Sequence, residues 1–158
     1  ETLPDDCAVL VAQQADELTT MFHPDMMFLH SLPGTGEQQV SYDLEHISIA
    51  GLTMDVDFFI IGEVKGVEAV YLLNAAYTGQ ICAATIHAPS AEKATSKLVD
   101  YCMAQSRYSR DELMKMLDCF KTVIFMEHYR VKEIFECKGW DETGKQLLYH
   151  KIYGRSGE

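Results

Sequence analysis

"DFFIIGEVKGVEA", residues 57–69, sends four consecutive apolar residues, Phe58 to Ile61, straight into a glycine and a glutamate, Gly62 and Glu63. The run is too short to cross a membrane. It lacks the alternation of a strand with one wet face, so it reads as a strand buried on both sides of a mostly parallel sheet. Ligands of such sheets bind at the carboxyl ends of the strands. Gly62 and Glu63 fall at that end, which makes the carboxylate a candidate site residue.

The neighbouring segments fit the same architecture. "CAVLVA" (7–12) and "MMFLHSL" (26–32) read as strands, and "PGTGEQ" (33–38) reads as a loop by its Pro and Gly content. Helical spacing of Leu44, Ile47 and Leu52 predicts a helix within 41–54. "GVEAVYLLNAAYTG" (66–79) predicts another, closed by Gly79. "QICAATIH" (80–87) reads as a further buried strand. Ser90 is placed to cap the helix that follows. Ser109 and Glu112 form an S-x-x-E capping box ahead of a shorter one. The tail changes character: "TVIFMEHY", "VKEIFECK" and "KQLLYHKIY" predict three strands, with turns near Tyr129 and at "WDETG", where Trp140 would sit in a turn as a packing anchor. The expected class is therefore α/β, with residues 1–105 as an alternating sheet domain and 106–158 as a helix plus β-meander.

Composition narrows the function. A chain of 158 residues with 47% apolar content can bury one sizeable core. A net charge of −11 argues against nucleic acid or an anionic lipid surface as a direct partner, since both need a basic face. Five widely spaced cysteines without a C-x-x-C pair fit reduced, buried thiols rather than a disulfide framework or a zinc site. His23, His30, His46, His128 and His150 show no metal-ligand spacing, so no metal site is expected from them. Glu68 reads as a first-turn helix acid.

Two strand ends then converge, one carrying Gly62–Glu63 and the other "TIHA" (85–88). A carboxylate and a histidine at adjacent strand tips can order a water and sense a phosphate. Here the chain resembles the secretion ATPases that power type II and type IV secretion, pilus assembly and conjugation. Their Walker B segment is matched by "FFIIGEVKGVEA", and their histidine box by "TGQICAATIHAPSAEKATSKLV". The tail resembles that of the tight-adherence pilus and conjugation branch. The resemblance implies a partial RecA-like P-loop NTPase core. It implies Glu63 as the catalytic glutamate, with Gly62, Thr85 and His87 in phosphate sensing, and ATP and Mg2+ as cofactors. It further implies a homo-hexamer, cytoplasmic and seated on the inner face of the cell membrane among secretion or pilus machinery proteins.

The departures from that family pattern are specific. The sequence has no G-x-x-x-x-G-K-[ST] phosphate loop, so the chain is expected to be a C-terminal piece and to hydrolyse no ATP by itself. Gln13 and Gln14 stand where the family has an acidic pair, with Glu17 in register. All three are candidates for an Asp-box remnant. Where the family carries interface arginines, the sequence offers Glu45, Ile49 and Thr53, and no arginine occurs before Arg107. Two alternatives follow: a catalytically degenerate regulatory or assembly subunit, and a small α/β interaction domain in which the Gly-Glu strand is only core.

Overall fold

The computed structural model describes residues 3–16, 18–19, 23–32 and 41–154. The chain packs as two compact units, 1–86 and 87–158.

The first unit is a four-stranded parallel sheet in the order β2-β1-β3-β4: β1 (Val9–Gln13), β2 (Met26–His30), β3 (Phe58–Ile61) and β4 (Ile81–Ala84). All five residues of β1 are buried, as befits a strand flanked on both edges. In β3, Phe59 and Ile61 are fully buried while Phe58 and Ile60 are half-covered. At the amino end of these strands the Asp57 carboxylate accepts the Ala8 N–H at 2.8 Å, tying β3 to β1.

Two helices cover the sheet. In α1 (Leu44–Thr53) the N-cap Asp43 accepts the His46 N–H at 3.0 Å, and that bond holds the Asp43 carboxyl below its ordinary range. Gly51 lets α1 approach closely: a Cβ there would lie 2.8 Å from Leu10 Cδ2 and 3.0 Å from Phe59 Cε2. The second helix, α2 (Glu68–Tyr77), packs against β3, β4 and α1 and is followed by Gly79 at φ +106°. That left-handed conformation costs glycine little and ends the helix. The "PGTGEQ" loop lies outside the described residues.

One expectation fails at β4. It is an edge strand, with Ile81 56% exposed and Ala83 and Ala84 exposed as well. Apolar composition alone could not tell a central parallel strand from an edge one; among the described residues β4 has a ladder partner, β3, on one side alone.

In the second unit Ser90 caps α3 (Ala91–Gln105), accepting the Lys93 N–H at 3.2 Å. Ser109 and Glu112 form the full capping box of α4 (Arg110–Met116), and a single 3-10 turn, Leu117–Cys119, follows. The antiparallel meander runs β5 (Thr122–Glu127), β6 (Arg130–Asp141) and β7 (Gln146–Tyr153). Val99, Cys102, Leu113, Leu117, Cys137 and Leu147 form its core. Trp140 is in β6, opposite Leu147, not in a turn. An irregularity between Cys137 and Gly139, with Gly139 at φ +120°, carries the strand on to Asp141, past the expected end of "VKEIFECK". All five cysteines are free thiols; Cys102 and Cys137 are buried and the other three are partly covered.

Replacing Gly51 by valine is expected to lower unfolding free energy by about 1–3 kcal/mol in urea denaturation, because Leu10 and Phe59 leave no room for it. Alkaline stability is the second check. Burial pushes the Cys102 thiol up to about 12 and Cys119 up to about 11. The folded chain therefore keeps protons that the unfolded chain releases from about pH 9, so stability falls as pH rises from there. Cys102→Ala should flatten that fall.

Candidate active site

The sheet reverses direction of growth at β1, since β2 lies on one side of it and β3 on the other. The carboxyl ends of β1 and β3 therefore flank a topological switch point, where open α/β sheets form their ligand crevice. Gln13 ends β1, and Gly62 follows β3 directly.

The turn carrying Glu63 is stitched on both sides. The Gly62 N–H donates to the Ala12 carbonyl at 2.8 Å, extending the β1–β3 ladder by one bond. On the other side the Val64 N–H donates to the Thr85 carbonyl at 2.8 Å, and Thr85 Oγ1 donates to the Gly62 carbonyl at 2.5 Å. Glu63 sits between those anchors with its side chain 17% exposed and its carboxylate 2.7 Å from the Lys65 ammonium.

A third support was not legible as such. Glu68 is 5% exposed, and its Oε1 accepts the N–H of Gly66 at 2.8 Å and also that of Lys65. Val67, at the N-cap of α2, offers no side-chain bond, so Glu68 reaches back to satisfy the turn. Its spacing of five from Glu63 gave no sign of this; the signal was a glutamate opening a helix just after a glycine.

Gly62, Glu63 and Thr85 are thus brought together at one sheet edge, with Gln13 on the adjoining strand. Gln14 is exposed in the loop after β1, and Glu17 lies outside the described residues. Gln13 is fully buried, its amide engaged with Leu18 and His30. His87 opens the second unit, where its carbonyl accepts from Lys97 Nζ at 2.8 Å. Glu45, in an expected arginine position, accepts the Tyr71 hydroxyl at 2.9 Å, which pushes that phenol above its ordinary range and ties α1 to α2.

A held carboxylate can orient a water, but the sequence contains no P-loop, and no group of three metal-ligating side chains occurs among the described residues. Among the described residues no helix is long and apolar enough to cross a membrane.

Comparison with known proteins agrees with the fold. The type II/IV secretion system protein family matches residues 24–126. An uncharacterized protein of Methanocaldococcus jannaschii, MJ1287, is 23% identical over 96% of this chain and 56% of its own length. The crystal structure of the VirB11 ATPase from the Brucella suis type IV secretion system, in complex with sulphate, superposes with a TM-score of 0.69. It shares 19% identity and covers 91% of this chain and 43% of that one. The chain therefore spans about half the length of the proteins it matches.

Removing the Glu68 carboxylate by Glu68→Ala strands two turn amides and is expected to cost about 2–3 kcal/mol. Thr85→Val deletes one bond and should cost about 1 kcal/mol. Urea denaturation checks both.

Proposed function

The chain belongs to the type II/IV secretion system protein family, and from that premise we propose that it is part of the ATPase core of a motor driving protein secretion, pilus assembly or conjugative transfer. In this reading residues 1–105 belong to the core and residues 106–158 form its β-rich tail. The intact protein works as a cytoplasmic hexamer on the inner face of the cell membrane, among the proteins of the secretion or pilus machinery.

One observation carries the reading: the Glu63 carboxylate is held at the switch-point edge of a parallel sheet by a turn anchored on both sides. Such rigidity suits a group that must orient an attacking water, because misplacing it by an ångström is costly. Gly62 adds no side chain there, and Thr85 fixes the turn. His87 takes the phosphate-sensing role. ATP with Mg2+ supplies the transferable phosphoryl group, held by parts of the protein outside this chain.

The lack of arginine before Arg107 and the amides at Gln13 and Gln14 favour a second reading, a catalytically idle regulatory or assembly subunit. Steady-state ATP hydrolysis by the intact gene product separates the two. The motor reading expects turnover that Glu63→Gln lowers by about 10²–10⁴-fold, the usual worth of a positioned acid–base group. Absence of turnover in the wild type overturns it in favour of the idle subunit. Residues 1–158 alone are expected to show no hydrolysis.

A further inference from the structure

Gln13 stands where a degraded acidic residue was expected, and its surroundings assign it a different task. It is the last residue of β1, fully buried, and paired in register with His30 at the end of β2. Its Oε1 accepts the Leu18 N–H at 2.9 Å, while its Nε2 donates to the Leu18 carbonyl at 3.1 Å. These two bonds to one residue's backbone fix which end of the amide is which. The second hydrogen on Nε2 is then directed at His30 Nε2, 3.0 Å away. Both hydrogens of the carboxamide and its oxygen are thereby engaged.

We propose that Gln13 is a positioning residue at the end of β1, an amide clamp that holds the Leu18 backbone against the strand end adjoining the Glu63 turn. That strand end adjoins the turn, because Ala12, one residue before Gln13, accepts the Gly62 N–H. The clamp also seats the Leu18 side chain against the sheet, where it lines a cavity of about 220 Å³ with Val11, Phe28 and Ile60.

A glutamate cannot do this work. It has no hydrogen to give to the Leu18 carbonyl or to His30, and it would bury a negative charge beside a carbonyl oxygen. The amide is therefore a requirement of the loop rather than the residue of a lost site. The imidazole supplies a spectroscopic mark. His30 Nε2 also lies 2.8 Å from the Asp16 carboxylate, and one nitrogen cannot accept from Gln13 and donate to Asp16 together. A bond from Gln13 to Nε2 requires the ring proton on Nδ1, whereas a bond to Asp16 requires it on Nε2. With the clamp lost, Nε2–H is free to donate to Asp16.

Only the activity arm of the test rests on the motor reading. Amide hydrogen exchange and imidazole 15N shifts are measured on the intact gene product, wild type beside Gln13→Glu and Gln13→Met. The methionine keeps the volume without charge and so guards against simple misfolding. Expected in Gln13→Met, which removes the acceptor of the Leu18 N–H, is a loss of protection at Leu18 of about tenfold or more, the size of one net hydrogen bond, with the Gly62 amide still protected. The His30 proton should move from Nδ1 towards Nε2 in both variants. Turnover should fall in kcat with KM for ATP little changed. Unchanged Leu18 protection in Gln13→Met overturns the clamp. So does faster hydrolysis by Gln13→Glu, which would mark position 13 as an acidic site after all. If the wild type has no turnover, the motor reading fails while exchange and tautomer still decide the clamp.

Discussion

Three backbone-directed hydrogen bonds decide where Glu63 stands, and the rest of the first unit is arranged to keep them. Gly62 is bonded through its N–H to β1 and through its carbonyl to the Thr85 hydroxyl, and Val64 is bonded to the Thr85 carbonyl. Those partners are in reach only because β1, β3 and β4 run parallel in one register. The register in turn depends on apolar side chains that must face the helices, since a slip of one residue would turn Phe59 and Ile61 to the other face. Close packing of α1 through Gly51 onto Leu10 and Phe59 locks that choice.

Electrostatics around the turn serve position more than stability. The Glu63–Lys65 pair is partly exposed, and exposed pairs contribute about 0–1 kcal/mol. Glu68 does more, because its buried carboxylate satisfies two amides of the same turn. One acidic residue thus shapes the loop that presents another.

Much of this was legible in residue order. The Phe58–Ile61 strand, the Ser90 cap and the Ser109–Glu112 capping box rest on local rules, and each lies where those rules place it. The parallel sheet followed by a meander was readable because strands alternate with helices and then cease to. What stayed hidden depended on long-range pairing. The exposure of β4 follows from its place at an edge, and Trp140 continues β6 because a backbone irregularity absorbs Gly139. The partners of Gln13 and Glu68 were equally unreadable. Each depends on a backbone group that only the folded loop brings within 3 Å, so a missing charge at Gln13 looked like decay and a present one at Glu68 like a helix-dipole acid.

The central claim is that Glu63 is aimed at a water beside a nucleotide. The most direct measurement is a structure of the intact gene product bound to a non-hydrolysable ATP analogue and Mg2+. The account predicts the Glu63 carboxylate within hydrogen-bond reach of a water in line with the terminal phosphate, its turn still bonded to Ala12 and Thr85. A nucleotide bound at another edge of the sheet, with Glu63 remote from the terminal phosphate, would contradict it.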